Sequence, residues 1–356
     1  MRPGNGATGS AGRGPGRRWR RVLLAGALVL VLVVAGAVAV RLATAGPLVI
    51  YAGQDPAVLA LTPDGRTLYV ADQGRPLAGL RSSGHTVVPV SLATGSAGRP
   101  IRVGTWPESM VVTPDGKLLY VAADDGLVTP VSVATGRPGA PIRAAQTPSA
   151  LAVTPDSRTL YTADAGDTVT PVSVATGRPG PPIKVGKLPD ALAVTPDGRT
   201  LYVASYLANT VTPVSVATGK PGMPIVVGHA PVALALTPDG RTLYVAINGD
   251  TNPYFPGGHY VVPIDVPTGA PGSPIPVGRG PGALAIAPDG RTLYVACGDD
   301  GTITPVAVAT GRPLPPIRVA PAWSGDPAAL AAAPDSRTLY AANQSGTVVV
   351  ISLARR

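Results

Sequence analysis

A ten-residue phrase that returns seven times restricts this 356-residue chain more than any other feature. It reads TPDGRTLYVA at 62–71, TPDGKLLYVA at 113–122, TPDSRTLYTA at 154–163 and TPDGRTLYVA at 195–204. It continues as TPDGRTLYVA at 237–246, APDGRTLYVA at 287–296 and APDSRTLYAA at 333–342. The prolines of the phrase are spaced by 51, 41, 41, 42, 50 and 46 residues. A period near 42 with several short strands in each unit predicts propeller blades, because helical solenoids repeat apolar positions at helical spacing instead. Gly and Pro, 44 and 42 residues, would suggest disorder in an aperiodic chain. Here they recur in register between β-branched runs, so they mark turns.

One unit shows the strands. Residues 191–195 (ALAVT) are read as strand A, PDGR as a turn, and 200–204 (TLYVA) as strand B. Strand C is TVTPVSV at 210–216, and strand D is PIVVG at 224–228. Pro196-Asp197-Gly198 is turn chemistry: Pro presets φ, Asp bonds back to the backbone, and Gly accepts positive φ. The seven repeated aspartates are therefore structural. Ala in strand A suits the crowded axis, and Leu and Tyr in strand B supply the packing between blades. Strand C carries a proline in six units, Pro89, Pro130, Pro171, Pro213, Pro263 and Pro305, with Val350 in the seventh. Proline cannot donate to a ladder, so either a bulge or a one-sided break in C–D pairing is expected. The last unit has no strand D after TVVVISL (347–353), while LVIYAG at 48–53 stands before the first strand A. That N-terminal strand is expected to complete the last blade and cover its edge.

These residues resemble the YVTN-type β-propeller repeat of YncE-like and surface-layer-like proteins over residues 48–356. The chain has LYVA where that motif has YVTN, and VSVATG where relatives often have VIDTATG. The resemblance implies an all-β, seven-bladed propeller of four-stranded antiparallel blades acting as an extracytoplasmic binding scaffold. It brings no catalytic set, because its motif residues make the fold.

The net charge of +9 suggests nucleic acid until it is located. Seven arginines and no acid precede residue 46, leaving +2 for the rest. The basic character thus belongs to a targeting segment, and nucleic acid is not an expected partner. Residues 22–40, VLLAGALVLVLVVAGAVAV, are uncharged and would span about 28 Å as a helix, close to the thickness of a bilayer core. A transmembrane helix is expected there, with the arginine-rich residues 1–21 as a disordered cytoplasmic tail and 41–47 as a linker. The propeller would then lie outside the cell membrane. Cleavage after Ala45 in Ala43-Thr44-Ala45, giving a secreted protein, is the alternative. Cys297 stands alone, so no intrachain disulfide exists; it is read as a semi-buried free thiol.

Repeat order sorts the charges. A–B and C–D turns lie at one end, the bottom, and B–C and D–A loops at the other, the top. The top loops sum to −8 and the bottom turns to +5. A basic bottom would suit anionic lipid, and the acidic top carries the candidate ligand residues. These are Asp55, Trp106, Glu108, Asp124, Asp125, Asp164, Asp167, Asp190, His229, Asp250, Tyr254, His259, Asp299, Asp300, Trp323 and Asp326. Acids beside exposed aromatics suit a basic peptide, a polyamine or a sugar, and long insertions on a rigid scaffold tend to carry recognition. The paired aspartates offer oxygen ligands for Ca²⁺, although no EF-hand spacing occurs; no cofactor is otherwise expected. No nucleophile, zinc or phosphate-binding motif stands out. The leading reading is a monomeric binding or assembly scaffold with a protein, cationic or carbohydrate ligand at the top. The alternative is a lactonase-like hydrolase with Asp55, Glu108, Asp190, Asp326 and His229 at the channel mouth.

Overall fold

In the computed structural model, the described residues are 29–34, 37–42, 48–51, 56–73, 84–249, 259–318, 327–343 and 347–353. They build seven antiparallel sheets. Blade 4 has the expected four strands: Pro189–Val194 pairs with Thr200–Ser205, which pairs with Thr210–Ser215, which pairs with Ile225–Val226, whereas the sheet of blade 2 has three and its outer segment is held only by isolated bridges such as Val128 with Ile142. The innermost strands of the other blades are Pro56–Leu61, Pro107–Val112, Pro148–Val153, Pro231–Leu236, Pro281–Ile286 and Pro327–Ala332. Each lies beside the innermost strands of its two neighbours, and Pro327–Ala332 beside Pro56–Leu61 closes the ring. The protein is a seven-bladed all-β propeller.

The core consists of layers between blades, and the period-2 alternation of a strand explains its make-up. Leu201 and Tyr202 are consecutive, so they face opposite neighbours. Leu201 packs with Tyr161 and Ile183 of blade 3, and Tyr202 packs with Leu243 and Val245 of blade 5. The same leucine is fully buried in every blade: Leu68, Leu119, Leu160, Leu201, Leu243, Leu293 and Leu339. Near the axis the seven innermost strands crowd together, and small alanines such as Ala150 and Ala152 fit there.

The strand C prolines break only the outer side of their sheet. Tyr69 lies opposite Pro89 in an uninterrupted register, and the same holds for Tyr202 and Pro213. On the other side, pairing survives at the two ends: Val90 with Ala97, and Val87 with Ile101. Between them the Pro89 carbonyl accepts from Gly98 N–H at 2.6 Å. A Cβ at Gly98 would stand 3.0 Å from the proline ring, which is why glycine follows the turn. Of the two expected outcomes, the one-sided break is the one formed. Val350, the residue without a ring, lies opposite Leu48, and Leu48–Tyr51 runs beside Thr347–Ser352 through four consecutive pairs.

Of the run 22–40 expected as a membrane-spanning helix, residues 22–28, 35 and 36 lie outside the described residues. Val29–Val34 and Ala37–Leu42 are strands, added in order beyond Leu48–Tyr51 on the blade 7 sheet. Alternating β-branched valines suit a pleated strand, and the edge of a sheet offers them backbone partners. Among the described residues no helix is long and apolar enough to cross a membrane.

The bottom turns hold the repeated aspartates in a local network. Thr62, Thr113, Thr154, Thr195 and Thr237 each donate Oγ1–H to the aspartate two residues on, at 2.5–2.6 Å. Those hydrogen bonds, joined by backbone N–H donors, hold Asp64, Asp115, Asp156, Asp197 and Asp239 below the usual carboxylate range. A folded-state pKa below the unfolded value stabilises the fold above the unfolded pKa, and that stability is lost as pH falls through the folded value. Denaturation midpoints measured against pH are therefore expected to drop steadily below about pH 4. Thr195→Ala should flatten that decline; an unchanged slope would remove Asp197 from the account.

Candidate functional site

Every innermost strand carries the same irregularity at its top end. The register shifts between its first and third residues, for example Pro189/Ala191 in blade 4 and Pro56/Val58 in blade 1. The second residue is skipped by the ladder and sits as a β-bulge at the rim of the central channel. Bulges re-aim side chains beside functional sites. Around the ring the skipped residues are Ala57, Glu108, Ser149, Asp190, Val232, Gly282 and Ala328. Four are apolar or glycine, and the three polar ones occupy adjacent blades 2, 3 and 4.

That arc is electrostatically distinct. Burial holds the Asp190 carboxyl above its usual range. Glu108 keeps solvent contact, yet the surrounding wall of protein thins the water around it. This desolvation, then the charges of Asp124 and Asp190, pushes its carboxyl up as well. Ser149 lies between the two blades, its Oγ donating to the Pro189 carbonyl at 2.7 Å. Further bonds fix the rim: Gln73 Nε2 donates to the Pro107 carbonyl at 3.0 Å, and Leu151 N–H to Ser109 Oγ at 3.1 Å. Trp106 precedes the arc with φ +53° and stays 44 % exposed. The left-handed position is shared by Leu188, Ala230 and Gly280 in the same loop of other blades. In each of these loops the residue's carbonyl accepts an N–H from the start of its own blade's next top loop, as Leu188 does from Tyr206.

The other expected residues do not join this arc. Asp125 spends its carboxylate on Thr105 and Leu127 N–H groups, and Asp164 on those of Gln146 and Thr147. Asp167 pairs with Lys184 at 3.5 Å. Asp300 accepts from the Arg279 backbone at 2.7 Å and its Nε at 2.8 Å, which lowers its carboxyl. Asp299 neighbours Gly280 in the adjoining top loop. His229 turns Nδ1 toward Asn209 Nδ2 at 3.4 Å, and His259 sits near Asp300 in another blade. Asp55, Asp250, Tyr254, Trp323 and Asp326 lie outside the described residues, and so does most of each long insertion. Among the described residues no three acids, histidines or cysteines gather as a metal site. Cys297 is wholly buried rather than half-buried, since it ends the second strand of blade 6 inside the 5/6 layer. Burial raises its thiol.

Sequence order alone had already placed Glu108 and Asp190 near the axis. It did not show that a bulge carries both, nor that Ser149 stands between them. The proline opening each innermost strand is the one available signal, because it cannot donate to the ladder beside the bulge.

No family model matches the chain, and no curated protein does. Among solved structures it is similar to the hydrazine synthase of Kuenenia stuttgartiensis, with a TM-score of 0.74 and 22 % identity. The alignment covers 85 % of this chain and 96 % of the other. At that identity the likeness shows the shared fold alone.

Proposed function

We propose that this propeller is a binding scaffold that recognises a cationic group, such as the amine of a polyamine or a basic peptide, at the top of its channel. The observation that carries it is the arc of Glu108 and Asp190, both held above their usual ionisation range and the two acids among the seven residues skipped by the innermost ladders. Carboxylates crowded together cost stability when ionised, and a bound cation relieves that cost. The exposed Trp106 next to the arc adds a ring face suited to a cation. In the same reading, residues 22–40 anchor the chain in a cell membrane with the propeller outside. The supporting features are their length, their lack of charge and the arginines before them. Leu48–Tyr51 would then tie the anchor directly to blade 7, with Val350 allowing the pairing.

The test joins stability to binding. A folded-state pKa raised above the unfolded value makes an acid destabilising once it ionises, and the loss disappears as pH falls through the folded value. Glu108→Gln with Asp190→Asn should therefore raise the unfolding midpoint at neutral pH. It should also weaken spermidine or oligolysine binding to the full chain by at least about tenfold. In the parent protein, that binding should fade at a higher pH than expected for free carboxylates. A parent chain that binds no cation, or a double variant that binds as well as the parent, would sink the reading.

A further inference from the structure

The three polar side chains skipped by the innermost ladders have free acceptor capacity and no free hydrogen. A carbonyl oxygen cannot donate, so the 2.7 Å contact from Ser149 Oγ to the Pro189 carbonyl takes the one hydrogen of that hydroxyl. What Ser149 has left is its oxygen lone pairs. Glu108 and Asp190, once ionised, are acceptors only. Asp125, Asp164 and Asp300 have spent their oxygens on nearby N–H groups. Among the described residues, neither the Glu108 nor the Asp190 carboxylate has a hydrogen-bond or ion-pair partner.

These acceptors come from three consecutive strands. Glu108 is the second residue of Pro107–Val112, Ser149 of Pro148–Val153 and Asp190 of Pro189–Val194, and each is the bulged one. The charge of Asp190 acts on Glu108 across the blade between them. Hydrogen bonds from side chains also fix the spacing of these strands. Gln73 Nε2 on the Pro107 carbonyl ties blade 1 to blade 2, Leu151 N–H on Ser109 Oγ ties blade 2 to blade 3, and Ser149 ties blade 3 to blade 4. A site spaced in advance loses less freedom when a ligand arrives.

We propose that the arc selects a primary ammonium group, its three N–H donors divided among Glu108, Asp190 and Ser149, over quaternary ammonium and guanidinium groups. The proposal rests on the cation-binding reading of the same arc and names the cation. A primary ammonium carries three donors and no acceptor, which matches three acceptors drawn from three strands around one point. A quaternary ammonium has no N–H, so only charge and the Trp106 ring would hold it. A guanidinium spreads five donors in one plane, a fork that suits the two oxygens of a single carboxylate. Ser149 is then the residue that sets specificity, because the two carboxylates attract any cation by charge.

The test measures binding of three dications with the same four-carbon spacer to the full chain by calorimetry at neutral pH. They are putrescine, its fully N-methylated bis-quaternary analogue and 1,4-diguanidinobutane. Putrescine should bind at least about tenfold tighter than either comparator. Ser149→Ala should weaken putrescine by about tenfold, the loss of one hydrogen bond to a charged group, and leave the bis-quaternary analogue within about twofold. Ser149→Thr, which keeps the hydroxyl, should keep the preference. Equal affinities for the three dications in the parent would overturn the primary-amine inference and leave the cation-binding reading standing. Equal losses of putrescine and of the bis-quaternary analogue in Ser149→Ala would do the same, since they would make Ser149 a purely structural residue. No binding of any of the three would overturn both.

Discussion

Leu201→Ala is expected to lower the unfolding free energy by about 2–5 kcal/mol, the range for emptying a fully buried leucine site in a close-packed core. Leu201 is completely buried where blades 3 and 4 meet, among Tyr161, Ala163, Ile183 and Val214. Its neighbours lie on paired strands that cannot move inward without breaking ladders, so the cavity should stay largely open. Because each layer joins two blades, the loss should appear in one cooperative transition rather than as local fraying of blade 4. Chemical denaturation followed by tyrosine fluorescence and by circular dichroism checks both points. A loss under about 1 kcal/mol would mean that the layer collapses easily, contrary to close packing.

A second large effect is expected at Gly65. This glycine has φ +67°, and a Cβ there would stand 2.9 Å from Pro334 Cδ of blade 7. Gly65→Ala thus combines a left-handed backbone cost of about 1–2 kcal/mol with a clash against a stiff ring. Gly95 supplies the control, since its φ is +69° with nothing within 4 Å of an added Cβ. Gly95→Ala should cost only the backbone part, and the difference between the two measures the seam between blades 7 and 1. Equal losses would show that the Pro334 contact relaxes at no cost. Ser157 and Ser336 occupy the same turn position with φ +60° and +52°. Each is compensated by a hydrogen bond across blades: Ser157 Oγ accepts from Asp115 N–H and Ser336 Oγ from Asp289 N–H, both at 3.0 Å.

How far the fold was legible depends on distance along the chain. Strand identity, the PDG turns and the opposed roles of Leu and Tyr are local, set by period-2 alternation and turn chemistry over ten residues. The strand C prolines were legible as an anomaly, but two resolutions stood open. Only the approach of Gly98 and its equivalents to the proline ring selected the one-sided break. Cys297 was read as half-buried because loop and strand end look alike in sequence; the Gly278 backbone close beside its side chain completes its burial.

The candidate site divides in the same way. Repeat order placed acids on the top face, since alternating strand direction is a consequence of sequence alone. Three of those acids, Asp125, Asp164 and Asp300, are consumed by backbone or arginine partners brought from loops about 20 residues away.

Sequence by itself determined the number of blades, their inner strands and their turn chemistry, because each unit carries its own strands and turns and the unit recurs seven times. Tertiary structure alone decided which exceptions matter. The bulge that sets Glu108 and Asp190 on the channel rim depends on seven strands converging at one axis. It arises between units, where no pattern inside one unit can record it.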